Sequence, residues 1–527
     1  MSFRSGVLIL GSVTLVTTYQ NCAPQQVQFA DLASMESAGI PEAPVCREMI
    51  TEEVKPVLDY AWVPESSVLP EYKQVMAAPV VGDLDNDGIP EILFVTFKNH
   101  AYESDGILRV INGRTGETKW SASEDSIRPY GSTSPLLLDI DRDGRPEIFY
   151  LQQKKNAVVA LNNDGSLRWT LTLPTSLGGC KGGFAGAQLL NQTGSSILAG
   201  NYVINENASK KPSIAFQLDE QTTSCDTYAT SLSTLKGSAS HIVSTSGVYN
   251  ETGAKLWSFK RTGTPASADL IPETAELEIV VTGGGYLTIY NGLTGEVIAD
   301  KTLAEHSDLI CKLDAQKRPV VGGGQASIGD FDGKADTLEI AIATGKSLTI
   351  FDSHGNKIAG SVTQDCSSLV TGITSFDFNG DGKPEIIYGD EQLLRIYEMD
   401  KSGELKIVWS TINPSGTLRE YPVVADVNGD GYAELVVVAN NYAVSGLYKV
   451  EADKAVAQNI TGLRVFKPST AGSWMPSRKV WNQHAYFSSH INDDLTANAS
   501  TMLNSVSGKS FNVNLQGRST TISCREQ

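Results

Sequence analysis

Asp83-Leu84-Asp85-Asn86-Asp87-Gly88-Ile89-Pro90-Glu91-Ile92 puts a carboxylate at its first, third and fifth positions, a glycine at the sixth and a glutamate at the ninth. Alternate side chains in a tight turn can aim their oxygens at one point. The glycine permits the bend, and the residue after it offers a backbone carbonyl. Such an all-oxygen cage suits a hard cation, Ca²⁺ before Mg²⁺, because Ca²⁺ accepts about six to eight oxygens in flexible geometry. The phrase returns at Asp139-Ile140-Asp141-Arg142-Asp143-Gly144-Arg145-Pro146-Glu147 and at Asp377-Phe378-Asn379-Gly380-Asp381-Gly382-Lys383-Pro384-Glu385. It returns again at Asp426-Val427-Asn428-Gly429-Asp430-Gly431-Tyr432-Ala433-Glu434. One such loop is a weak signal; four in the same register are a strong one.

The loop is not an EF-hand, whose closing glutamate comes later and whose flanks are helices. Here the glutamate runs into Ile92-Leu93-Phe94-Val95 or Leu435-Val436-Val437-Val438, which reads as a buried strand. The phrase is a cation-stabilised turn between two strands.

The 527 residues carry a net charge of −18, which argues against nucleic-acid binding, since that favours basic patches. Fourteen carboxylates lie in the four loops, so bound cations would offset much of the charge. The 48 glycines and the short apolar runs fit an all-β chain rich in turns.

Arg4, the short apolar core Gly6 to Val16, and Cys22 read as an export signal over residues 1–21, too short for an ordinary transmembrane helix. The layout resembles a bacterial lipoprotein signal, which implies lipidation of Cys22, although Tyr19-Gln20-Asn21 departs from the usual small residues. Ala23 in place of an aspartate favours the outer membrane, on its periplasmic or cell-surface side; plain secretion is the alternative. Residues 22–45 read as a polar tether.

From Val54 onward a unit recurs: an apolar strand, the acidic loop, a buried strand, a third strand, a turn, and a fourth strand with an aromatic or charged edge. Asn112-Gly113-Arg114-Thr115-Gly116 and Asn291-Gly292-Leu293-Thr294-Gly295 are the clearest turns; Trp120, Trp169, Trp257 and Trp409 mark edges. The third unit, from Leu189 to Trp257, is degenerate and carries a long insert. The fourth has Asp269 to Ile279 in the loop place with altered spacing. The fifth offers Asp330, Asp332 and Asp336 as a further candidate set, with Lys334 where a ligand should stand.

Seven units of four strands predict a seven-bladed β-propeller over residues 46–470, because one four-stranded unit cannot bury both its faces. Val57 to Trp62 supplies the outer strand that the last unit lacks, closing the ring. Six cysteines besides Cys22 can pair in fifteen ways; the expected pairs are Cys180–Cys225, Cys311–Cys366 and Cys46–Cys524, the last because closure brings the domain ends together. Residues 471–527, with Trp474, Trp481, His484 and Tyr486, read as an aromatic-rich segment packed on the propeller.

The loops, with Ala78-Pro79, Ser134-Pro135 and Tyr421-Pro422 before them, resemble the FG-GAP (VCBS-like) repeats of integrin α propellers and bacterial surface proteins, over about residues 54–470. The resemblance implies Ca²⁺ at Asp83, Asp85, Asp87 and Glu91; at Asp139, Asp141, Asp143 and Glu147; at Asp377, Asn379, Asp381 and Glu385; and at Asp426, Asn428, Asp430 and Glu434. A shorter likeness, in the Asn-Gly-x-Thr-Gly-Glu turns and Trp edges, is to quinoprotein-type repeats of envelope-assembly scaffolds.

Other chemistry is poorly represented. The six histidines show no metal-ligand spacing, no serine elbow occurs, and the glycine triplets at 283–285 and 322–324 lack a phosphate-loop pattern. The expected function is a membrane-anchored, calcium-binding surface protein that binds or adheres to a protein or glycan. The alternatives are a polysaccharide lyase-like enzyme on the same scaffold and an envelope-assembly scaffold.

Overall fold

The computed structural model describes residues 46–48, 54–64, 68–154, 156–178, 183–189, 194–220, 226–230, 232, 239–303, 311, 316–317, 320–334, 337–443, 454–497 and 522–524. Two compact units divide the chain: residues 1–51 with 519–527, and residues 52–518. In the smaller, Cys46–Glu48 pairs in parallel with Ile522–Cys524. The signal and tether, Cys22, Cys180, Cys225, Asp336 and the side chains of Cys46 and Cys524 lie outside the described residues.

The larger unit is a β-propeller of eight four-stranded antiparallel blades, which corrects the expected seven. Blade 1 comprises Val80–Gly82, Glu91–Lys98, Ile107–Asn112 and Thr118–Ala122, with Tyr72–Gln74 added on the far side of Glu91–Lys98. Blade 2 runs Leu136–Leu138, Glu147–Leu151, Ala157–Leu161, Leu167–Thr172. Blades 5 and 6 begin at Thr264–Ala268 and Ser327–Gly329, and blade 7 at Thr374–Phe376. Blade 8 joins Val423–Ala425, Glu434–Ala439 and Gly462–Pro468 to the N-terminal strand Pro56–Ala61, which pairs antiparallel with Gly462–Pro468.

The blade missed by the sequence reading lies in the degenerate unit. Ala185–Ala187, Ser196–Ala199, Tyr202–Glu206 and Pro212–Gln217 form blade 3; Tyr228–Thr230, His241–Val243, Gly247–Asn250 and Lys255–Ser258 form blade 4. The connections after their first strands, 188–195 and 231–240, hold no carboxylate, so the loop phrase does not mark them. Phe216 stands in blade 3 where neighbouring blades carry tryptophan. A blade is a hydrophobic sandwich layer; it needs the strands, not the acidic turn.

The first two strands of most blades are buried throughout, because the blades press face to face. Outside, several blades meet the preceding one through the turn between their third and fourth strands. Gly165 has φ +85°, and a Cβ there would meet the Trp120 ring of the preceding blade at 2.9 Å. Gly116, at φ +73°, stands in the same relation to Tyr60, with 2.5 Å to the ring. Gly253 against Phe216 and Gly295 against Trp257 repeat the relation: the glycine adopts the left-handed bend and leaves room for the aromatic ring of the neighbouring blade.

Within the ring, the C-terminal segment follows the innermost strands from blade to blade. Asp426 of blade 8 donates its N–H to Arg478 O at 3.0 Å. Val81 of blade 1 exchanges two backbone hydrogen bonds with Trp481, and Leu137 of blade 2 donates to Asn482 O at 2.9 Å. Gly186 of blade 3 donates to Gln483 Oε1 at 2.9 Å, and His484 Nε2 lies 3.0 Å from Asp226, just before blade 4. Trp481, His484 and Tyr486 are fully buried. The segment satisfies inner-strand N–H groups that have no further strand to bond.

Cys311 and Cys366 are joined by a disulfide that ties the connection into blade 6 to the connection out of it.

Candidate metal centres

The acidic loops lie between the first and second strands of their blades, and the closing glutamate is the first residue of the second strand. That glutamate is buried and one oxygen is always spent on the loop's own backbone. Glu91 Oε2 accepts Leu84 N–H at 2.8 Å, Glu147 Oε2 accepts Ile140 at 3.2 Å, Glu385 Oε2 accepts Phe378 at 2.8 Å and Glu434 Oε2 accepts Val427 at 3.0 Å. Glu278 in blade 5 and Glu339 in blade 6 do the same with Leu270 and Phe331, both at 2.8 Å. The altered spacing there lengthens the turn without moving the glutamate.

The first aspartate holds the other side. Asp83 accepts the N–H groups of Asp87 and Gly88, at 3.2 and 2.8 Å, and Asp139, Asp377 and Asp426 repeat the pattern with Asp143/Gly144, Asp381/Gly382 and Asp430/Gly431. The fifth residue caps the following turn: Asp87 accepts Ile89 N–H, and Asp430 accepts Tyr432 N–H. These bonds fix a concave ring of oxygens before any ion arrives.

Among the described residues, four sets have ligand oxygens mutually within 4.8 Å: Asp83, Asp85 and Glu91; Asp139, Asp141 and Glu147; Asp330, Asp332 and Glu339; Asp426, Asp430 and Glu434. Each could hold a metal ion. Asp87 and Asp143 stand outside these sets. In blade 7, Asn379 turns its amide to Glu385 Oε1 at 2.6 Å, and Asp377, Asp381 and Glu385 are not gathered as tightly. In blade 6, Lys334 Nζ sits 2.5 Å from Asp332.

Burial disfavours the ionised form of several carboxylates of these loops. Desolvation pushes Asp377 and Asp426 up to about 6 and Glu339 up to about 7. Glu434 rises to about 9, through burial and then the neighbouring Asp430 and Asp426. Glu385 is raised well above the ordinary carboxylate range, chiefly by burial and then by Asp377. Buried carboxylates crowded in this way favour either protons or a cation. The donor set, hard oxygens only, fits a hard divalent cation rather than a thiophilic metal.

Cationic residues not singled out in the sequence also belong to these sites, with Lys210 Nζ 2.8 Å from Asp141 and two others reaching the closing glutamates. Lys119 Nζ lies 2.7 Å from Asp85 and 2.8 Å from Glu91. Arg168 lies 2.7 Å from both Asp141 and Glu147 and also pairs with Glu206 of blade 3. The available signal was a basic residue directly before two of the four edge tryptophans, Lys119-Trp120 and Arg168-Trp169. Among the described residues no histidine joins these sets: His484 packs against Asp226 and the Tyr421 ring.

The FG-GAP-like repeat family model matches residues 83–150 and 377–437, which span the four acidic loops quoted above. No curated protein matches the sequence. Among solved structures, the biofilm matrix protein Bap1 of V. cholerae superposes with a TM-score of 0.70 at 19% identity, over 90% of this chain and 100% of that one. The exotype rhamnogalacturonan lyase YesX gives 0.53 at 16% identity, covering 79% of this chain and 76% of its own. The Bacillus licheniformis rhamnogalacturonan lyase PL11 gives 0.50 at 17% identity, with 74% of each chain covered. At such identities the likeness is one of fold. The chain is a β-propeller protein that carries FG-GAP-like repeats at residues 83–150 and 377–437.

Proposed function

We propose that this protein is an exported, calcium-stabilised propeller that binds a protein or glycan at the cell surface or in an extracellular matrix, anchored through lipid on Cys22. The observation that carries the binding reading over the enzymatic one is the C-terminal segment. Its buried Trp481, Asn482, Gln483 and His484 occupy the inner circuit of blades 1 to 4, where a propeller enzyme would open a cleft. The full-length likeness to a biofilm matrix protein agrees with this, and a propeller scaffold by itself decides no activity.

Calcium is the cation of choice because the loops offer only oxygens on a partly preformed ring. Its role is structural: ionised aspartates holding an ion make poor general acids. The neighbouring lyases supply the competing reading.

The deciding experiment incubates the purified protein with uronate-containing polysaccharides, with Ca²⁺ and with a chelator, scoring retention and unsaturated products together. Retention without new unsaturated ends supports a binder. Release of unsaturated oligosaccharides would overturn it in favour of a lyase.

A further inference from the structure

Each of the eight blades carries a β-bulge at the same place in its outer hairpin, leaving one outer-strand residue without a partner across the ladder. A bulge bends the strand and re-aims that side chain. In blades 1 and 2 the bulged residues are Lys119 and Arg168; in blades 7 and 8 they are Val408 and Asp59.

The third residue of the loop changes in step. In the four loops that carry the full phrase it is aspartate, Asp85 or Asp141, where the bulge is basic, and asparagine, Asn379 or Asn428, where it is not; blade 6, with Asp332 and a bulged Ile358, follows neither pattern, and there Thr337 Oγ1 donates to Glu339 Oε1 at 3.3 Å. Where it is asparagine, its amide donates to Oε1 of the closing glutamate, at 2.6 Å in blade 7 and 2.9 Å in blade 8. Where it is aspartate, the bulged cation donates to that same Oε1, from Lys119 at 2.8 Å and from Arg168 at 2.7 Å. In these four loops the glutamate's second oxygen is thus satisfied by one of two interchangeable devices.

The charge follows. Counting only the candidate ligands and the bulged cation, four carboxylates with one cation and three carboxylates alone both come to a formal −3, with Arg142 and Arg145 in the blade 2 loop and Lys383 in the blade 7 loop outside that count. Other charged groups lie nearby: Arg114 Nε donates to Asn428 O at 2.8 Å and Lys479 Nζ to Gly88 O at 2.6 Å, between the loops of blades 8 and 1. Lys210 on Asp141 offsets Glu206 on Arg168; Lys467, 2.5 Å from Asp59, offsets it; Lys383 lies between Asp381 and Glu398, at 3.6 and 4.0 Å. Lys119 approaches from the Asp85 and Glu91 side, while Asp83 keeps its oxygens on the loop N–H groups.

We propose that in blades 1, 2, 7 and 8 the bulged outer-strand residue and the third loop residue form a matched pair that sets the charge of the ligand group, with Lys119 and Arg168 as positioning residues of the first two cation sites. The affinity consequence rests on the calcium reading above; the stability consequence does not.

The test is a double-mutant cycle on the full chain with Lys119→Met, Asp85→Asn and both together, plus Lys119→Arg, melted in chelator and titrated with Ca²⁺ by calorimetry. In chelator, Lys119→Met lowers the melting midpoint. The double variant, which rebuilds the blade 7 combination, regains most of that loss, and Lys119→Arg stays near wild type. In Ca²⁺, Lys119→Met tightens one site on the order of tenfold, Asp85→Asn weakens it on the order of tenfold, and the double variant returns to within about twofold. Strictly additive midpoints in chelator, or a Lys119→Met variant unchanged in midpoint and affinity, would overturn the pairing. Absence of Ca²⁺ binding in every protein would sink the calcium reading, while coupling in chelator would still support the pairing.

Discussion

The Tyr60 hydroxyl donates to the backbone carbonyl of Gly113 at 2.6 Å, tying the outer strand of blade 8 to the turn of blade 1 across 53 residues of sequence. The same ring lies against Gly116, whose φ of +73° and 2.5 Å approach leave no room for a side chain. Tyr60→Phe removes the hydrogen bond and should cost about 1 kcal/mol. Gly116→Ala adds backbone strain to overlap and should cost more. Thermal or denaturant midpoints should rank wild type, Tyr60→Phe, Gly116→Ala; a Gly116→Ala protein as stable as wild type would show that the ring does not rest on this turn.

Glu434 and Asp426 carry folded-state pKa values of about 9 and about 6, raised by burial above 4.5 and 3.8. A carboxyl raised by folding binds its proton more tightly in the native state. Its stabilisation is full below the unfolded pKa and is lost as pH rises through the folded one. The midpoint in chelator should therefore fall from about pH 5 to about pH 9, and Glu434→Gln should flatten that fall. With Ca²⁺ the slope should shrink or reverse, because the ion favours the ionised form. A chelated protein whose midpoint climbs across this range would contradict the assignment.

Calcium itself should raise the midpoint by mass action, since only the folded loops gather the oxygens. Asp426→Ala and Asp381→Ala should each reduce the Ca²⁺-dependent rise. An identical curve in calcium and chelator would mean that the loops are acidic turns and no more.

Trp481 is fully buried and stacks on Tyr486 with centroids 4.4 Å apart. Trp481→Ala should cost about 3–5 kcal/mol. It should also increase binding of a hydrophobic dye, because the inner strands lose their cover. A near-wild-type midpoint would show that the segment merely decorates the ring.

The Cys311–Cys366 bridge closes a loop of 55 residues around blade 6. Replacing both cysteines by serine should cost about 2–4 kcal/mol, chiefly through the freer unfolded chain. Reduction of the native protein should give a comparable loss, and reduced and oxidised forms with equal midpoints would refute it.

The sequence alone determined the loops, because a ligand ring built from alternate residues, a glycine and a closing glutamate is a local pattern. It also determined that these loops join strands, since the glutamate runs directly into an apolar segment. Blade count was less legible: blades 3 and 4 keep the sandwich strands and drop the acid, and Phe216 stands where a tryptophan would have flagged an edge. Only the tertiary structure decided that Lys119 and Arg168 reach the acidic loops, because a bulge is a register between two strands and not a property of either one. It alone showed residues 478–484 meeting five blades in turn, since a chain's path around an axis is set by which inner N–H groups still lack a partner.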